Sequence, residues 1–163
     1  MILVGIDPGL HGGIAWRLQP LGIIEYYSFA ELRDLELANL ISRINKTGEE
    51  AFVYMEKLGA MPAKFRGSSV SWTLAEHVGK LKMALAVHDI PYEEVPPQKW
   101  QKGMGCFYGR KKNSKAGKAK KLTYAQRKKK LMAKAQALFP KVHVSPETAD
   151  ALLIYEYARR TYK

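Results

Sequence analysis

The sequence predicts an α/β fold: a mixed five-stranded sheet, made of an antiparallel meander of three strands plus two parallel strands, flanked by helices. Three observations predict it. Three short apolar runs open the chain, separated by Pro8-Gly9, Gly12-Gly13 and the Pro20–Gly22 break, as in a meander joined by turns. Two further short apolar runs each follow a segment with apolar residues at helical spacing, as in strand–helix–strand crossovers. The chain then closes on two more helical segments. A meander followed by crossovers needs a mixed sheet with helices over it.

In order, Ile2–Asp7 reads as a buried strand, and Ile14–Leu18 and Gly22–Phe29 complete the meander. Ala30–Asn45 places Leu32, Leu35, Leu37, Leu40, Ile41 and Ile44 at helical spacing. Ala51–Lys57 is the fourth strand, after the Lys46-Thr47-Gly48 break. Gly67-Ser68-Ser69 supplies an N-cap, and Val70, Leu74, Val78, Leu81 and Leu85 give the long helix Ser68–His88 one apolar stripe. His77 and His88 read as surface residues of that helix. Pro91–Val95 is the fifth strand, stopped by Pro96-Pro97. Residues Gln98–Leu122 show little periodicity and read as a glycine- and lysine-rich mobile loop, its basic part at about 101–122. Trp100 reads as a core anchor. Thr123–Phe139 returns to helical spacing. Ser145, with Pro146 behind it, starts the last helix. There is no internal repeat.

At 163 residues the chain is long enough for one domain with a real core. A single cysteine, Cys106, excludes an intramolecular disulfide and a cysteine-based zinc cluster. The apolar start stops at Asp7, unlike a secretory signal, and no run reaches the roughly 18 residues of a membrane span. These features predict a soluble protein of the cytoplasm. Between Val95 and Pro146 lie 15 Lys/Arg and no acid, while the rest holds 12 Lys/Arg against 15 acids. Excess positive charge confined to one third of the chain suits a polyanion, nucleic acid first; a solvated lysine-rich loop is the plain alternative.

Acids sit beside apolar sequence in three places. Asp7 follows ILVGI, Glu56 follows FVYM, and Glu147 and Asp150 stand in SPETADALLIYEYA. Alternate strand residues share a face, so Asp7 ends the face of Leu3 and Gly5, and Glu56 the face of Phe52 and Tyr54. Glu147 and Asp150, three apart, share a face near the start of the last helix. Each has a simple alternative: a turn cap for Asp7, a surface pair with Lys57 for Glu56, a helix-dipole complement for Glu147. Asp150 is harder to explain so, with Ala149, Ala151, Leu152 and Leu153 around it. Together, buried acids beside a basic region suit a hard divalent cation and a phosphodiester substrate.

These segments resemble the RuvC-type Holliday junction resolvases, of ribonuclease H-like fold, over nearly the whole chain. GIDPGL resembles the opening motif, FVYMEKLG the strand ending on the catalytic Glu, GSSVSWTLAEHVGKLKMALAVHDIPYEEVPP the long helix and next strand, and ETADALLIYEYA the final helix. The resemblance implies that Asp7, Glu56, Glu147 and Asp150 are the catalytic, metal-binding set. They would hold two Mg²⁺ ions per site (Mn²⁺ as substitute) for paired nicking of four-way junctions, leaving 5′-phosphate and 3′-hydroxyl ends. It implies a homodimer, for which Trp72, Ala75 and Met83 on the long helix are candidates. Cellular bacterial members usually carry His where this chain has Glu147, so the likeness is to phage and poxvirus members, acting in a bacterial or phage-infected cell. Lys102, Arg110, Lys111, Lys112, Lys118, Lys120, Lys121, Arg127, Lys128 and Lys129 are the candidate DNA contacts, and Phe107 and Tyr108 candidate base-stacking residues. Tyr124 either stacks likewise or packs at its helix start. A broader flap or fork nuclease and a catalytically silent nucleic-acid-binding module are the rival readings. An actin-like ATPase ranks last, because no second glycine-rich phosphate loop is present.

Overall fold

The computed structural model describes residues 1–59, 67–106 and 122–163. Five strands, β1 (Ile2–Asp7), β2 (Gly13–Leu18), β3 (Ile23–Ser28), β4 (Ala51–Glu56) and β5 (Tyr92–Val95), form one sheet in the order β3-β2-β1-β4-β5. β1, β2 and β3 pair antiparallel, and β1, β4 and β5 pair parallel. This is the mixed sheet the sequence predicts. The helices are α1 (Asp34–Asn45), α2 (Ser69–Val87), α3 (Pro97–Gly103), α4 (Tyr124–Leu138) and α5 (Ala149–Thr161).

Strand alternation sorts the core into two halves. Ile2, Val4, Ile6, Val53 and Met55 face α1 and α2, where Leu37, Leu40, Ile41, Leu81 and Leu85 cover them. Leu3, Phe52 and Tyr54 face the other way, toward α3, α4 and α5. Helix α5 lies over the middle of the sheet, buried continuously from Ala151 to Ala158. Gly5 allows this approach: a Cβ there would fall on the backbone of Tyr155 and Ala151.

Four elements differ from the sequence expectation. The segment from Ala30 begins as a 3-10 turn, Phe29–Glu31, and α1 starts only at Asp34, where the Glu36 carboxylate accepts from both the backbone N–H and the guanidinium of Arg33. The loop expected from Gln98 begins instead as helix α3, with Pro97 in its first turn, and runs on to a buried Cys106. His77 is 7 % exposed, not a surface residue; the face of α2 that packs inward is His77, Leu81 and Leu85, whereas Val70 is exposed. Regular helix α5 starts at Ala149. Ser145 caps the turn before it, exchanging hydrogen bonds with Thr148 and accepting the Ala149 N–H. Glu147 therefore sits in that turn, and only Asp150 lies on the helix. Among the described residues no helix is long and apolar enough to cross a membrane.

Candidate active site

The parallel register brings the first two acids together. Ile6 of β1 stands opposite Met55 of β4, so the next residue on each strand, Asp7 and Glu56, ends its strand at the same level and on the same face. The carboxyl ends of parallel strands are where α/β sheets place ligands. Asp150 joins them from the first turn of α5. Asp7, Glu56 and Asp150 line one open cavity of about 670 Å³, together with His11, Gln101, Tyr124, Arg127 and Lys128. Leu10, Val70, Leu74 and Leu131 form its apolar wall.

Each acid is held by a neighbour. The indole N–H of Trp100, a fully buried side chain on α3, donates to Glu56 Oε2 at 2.7 Å. Lys128 of α4 donates to Asp150 Oδ2 at 2.6 Å. Asp7 is held through its backbone. Its strand partner is Gly13, the first residue of β2; at Gly12 just before it a Cβ would overlap the Asp7 carbonyl, and at Gly13 a Cβ would crowd the Tyr27 and Glu147 carbonyls. The ring of His77 lies 3.1 Å (Nδ1) from the carbonyl oxygen of Pro8, next in the chain to Asp7, and packs against Phe29.

Burial and crowding shape the charges. Asp7 is pushed up to about 7, first by burial and then by Asp150, against the pull of Lys128 and the Gly9 N–H. Glu56 is pushed up to about 8, by burial and then Asp7, against the Trp100 hydrogen bond. Lys128 is raised too: burial alone would lower it, and the adjacent Asp150 more than offsets this. Glu147 is lowered, chiefly by the Ser145 hydroxyl, with Lys128 and His11 contributing. It does not line the cavity of the other three acids.

The donor set fits a hard divalent cation. All three cavity acids offer carboxylate oxygen, the ligand type Mg²⁺ and Mn²⁺ take. Asp150 Oδ1 is buried with no hydrogen-bond partner among the described residues, and a positive ion would satisfy it. It would also relieve the repulsion that raises Asp7 and Glu56. In this conformation, among the described residues, no three acids, histidines or cysteines converge tightly enough to grip an ion.

The predicted DNA contacts separate into two groups. Arg127 and Lys128 line the cavity, while Lys102 and Lys129 are exposed away from it. Phe107, Tyr108, Arg110, Lys111, Lys112, Lys118, Lys120 and Lys121 lie outside the described residues. Tyr124 is 72 % exposed at the cavity mouth, so it does not pack at its helix start.

Sequence reasoning missed the roles of Trp100, His77 and Gly12. A signal existed for His77, which is spaced four residues before Leu81 and eight before Leu85 on the inward face. None existed for Trp100, since its contact spans 44 residues of chain. Trp100→Phe keeps a buried aromatic ring but removes the indole's second ring together with the N–H that holds Glu56. We expect a loss of at least about 1–3 kcal/mol from the unsatisfied buried acceptor, increased by the cavity left behind, measured by urea denaturation.

No protein-family model matches the sequence, and no curated protein matches it. Solved structures do. T. thermophilus RuvC in complex with a Holliday junction substrate aligns over 99 % of this chain and 96 % of its own, with a TM-score of 0.54 at 15 % identity. A second structure, Thermus thermophilus RuvC, aligns over 98 % and 96 % with a TM-score of 0.52 at 16 % identity. The chain is therefore a mixed five-stranded sheet flanked by helices with the RuvC-like, ribonuclease H-like fold.

Proposed function

We propose that this protein is a divalent-metal-dependent DNA endonuclease that resolves four-way junctions by paired nicks, leaving 5′-phosphate and 3′-hydroxyl ends. One observation carries the reading. Adjacent strand ends and a helix start bring Asp7, Glu56 and Asp150 into one open cavity beside Lys128 and Arg127, on a fold shared with a protein solved with a Holliday junction.

Asp7, Glu56 and Asp150, with Glu147 one turn before, are the residues to hold Mg²⁺ or Mn²⁺, two ions per site. Such ions supply Lewis-acid stabilisation of the phosphate and an activated water. Arg127 and Lys128 meet the phosphate backbone at the cavity. Lys102 and Lys129, with the basic stretch 110–121, extend that contact, which gives affinity and salt sensitivity without reading sequence. Tyr124 offers a face for an unpaired base. The acid at Glu147 keeps phage- and poxvirus-like members as our reading of the subtype.

Two symmetry-related cuts need two sites, and α2 offers a face for a second copy. Trp72 and Met83 are 73 % and 65 % exposed, with exposed Ala75, Gly79 and Ala86 between and beside them. A Cβ at Gly79 would meet nothing within 4 Å, which leaves room for a partner helix. Gly79→Arg is therefore expected to give a monomer by light scattering. Its melting temperature should be held or raised, because a helical glycine costs about 1 kcal/mol relative to better helix formers.

The test of function is competition between substrates. Labelled four-way junction, flap and linear duplex are incubated with the protein and Mg²⁺, and junction products are treated with ligase. Preferential junction cutting to ligatable ends supports the reading. Equal cutting of flap and junction replaces it with a general branched-DNA nuclease. Binding with no cutting in Mg²⁺ or Mn²⁺ replaces it with a silent binding module.

A further inference from the structure

We propose that Lys128 is a displaceable plug in the metal centre: its ammonium holds Asp150 until a DNA phosphate draws it away, so divalent cations bind tightly only beside substrate. The inference rests on reading the three carboxylates as a metal centre, and it adds a rule for when that centre assembles.

The geometry carries it. Lys128 Nζ lies 2.6 Å from Asp150 Oδ2, with the two side chains only 18 % and 14 % exposed. Asp7 and Glu56 also feel its charge. A Mg²⁺ ion sits about 2.0–2.1 Å from its oxygen ligands. An ion bound to the same Asp150 oxygen, or to the partnerless Oδ1 beside it, would lie within a few ångströms of the ammonium, where two positive charges in a sheltered site repel strongly. The ammonium on Oδ2 therefore weakens the hold of Asp150 on a divalent ion.

The plug can leave. An ammonium is a compact charge on a flexible four-carbon stem, and Lys128 lies one turn into α4, on the cavity side, next to Arg127 and Tyr124. Swinging outward carries the amine to the mouth, where a phosphate would meet it. A single positive charge also leaves the three acids under-neutralised, and one partner of Asp150 leaves its Oδ1 orphaned. The arrangement holds the acids together without satisfying them. By linkage, any DNA contact that removes Lys128 strengthens metal binding, and metal strengthens that DNA contact by the same factor.

The test is calcium titration calorimetry on the full chain at pH 8, Ca²⁺ serving as probe without cleavage. Wild type, Lys128→Met and Lys129→Met are compared, the last removing the same charge from the exposed neighbour. Without DNA, Lys128→Met is expected to bind Ca²⁺ at least about tenfold tighter than wild type, with a larger Ca²⁺-induced rise in melting temperature. Lys129→Met should move less than about threefold. With a saturating four-way junction the gap between Lys128→Met and wild type should close. Lys128→Gln repeats the comparison should the methionine variant fail to fold. Equal or weaker Ca²⁺ binding by the Lys128 variants overturns the plug, and a gap that persists with DNA overturns its release by substrate. If wild type and every variant ignore both Ca²⁺ and Mn²⁺, the metal centre itself is lost and the plug falls with it.

Discussion

In EDTA at pH 8, Asp7→Asn is expected to melt about 5–10 °C above the wild-type protein, and at pH 5 that gap should shrink to less than about half. Burial and the nearby Asp150 push Asp7 from 3.8 up to about 7. A folded-state pKa above the unfolded one stabilises the fold while the group stays protonated, and this is lost as pH rises from about 4 through 7. Without a cation, the wild-type protein therefore carries a penalty at pH 8 that it lacks at low pH. At about 1.36 kcal/mol per unit, Asp7 accounts for about 4 kcal/mol at most, and its coupling with Glu56 spreads the loss upward toward pH 8. A domain of this size shifts by about 2–4 °C per kcal/mol. The amide introduced by Asp7→Asn does not ionise in this range and escapes the penalty. Adding Mn²⁺ should raise the wild-type melting temperature at pH 8 and leave Asp7→Asn nearly unmoved. Thermal denaturation across pH 5–8 checks both statements. A gap of the same size at pH 5 and pH 8 would show that burial of Asp7 has another cause.

Gly5→Ala is expected to destabilise the fold by at least about 3 kcal/mol, at the upper end of overpacking costs. One methyl group is enough because its obstacle is backbone. The added Cβ would overlap the Tyr155 nitrogen and lie 2.7 Å from the Tyr155 Cα. No rotamer change can clear a helix backbone, so α5 must lift from β1. That helix is the centre of one core half and carries Asp150. Denaturant unfolding measures the loss, and the proposed Mg²⁺-dependent cleavage should fall with it. Gly59→Ala, with open space at its Cβ, is the matched control and should change little.

The sheet was legible because its signals are local. Alternation in ILVGID and AFVYME sets which residues face which helices, and hence that Asp7 and Glu56 end matching faces. Asp150 stood out as a charge set among Ala149, Ala151, Leu152 and Leu153. What sequence could not show depends on long-range contact or on short elements. Helix α3 has seven residues and one buried side chain, too few for periodicity, and Pro96-Pro97 reads as a strand stop as readily as a helix start. The grip of Trp100 on Glu56 joins elements 44 residues apart. His77 reads as a surface residue when the apolar stripe is drawn through Val70 and Val78, whereas packing against β1 and Phe29 turns the helix toward Leu81 and Leu85. Glu147 falls outside the helix because Ser145 and Thr148 close a turn on each other first.

The measurement that tests the central claim most directly is single-turnover cleavage of a four-way junction by wild type and Asp7→Asn, in Mg²⁺ and in EDTA. The carboxylate metal centre predicts nicks that need Mg²⁺ and fall at least about 10³-fold in Asp7→Asn, with junction binding retained, since a group that holds the ions acts mainly on the chemical step. Cleavage that persists in EDTA, or that Asp7→Asn leaves intact, would contradict it.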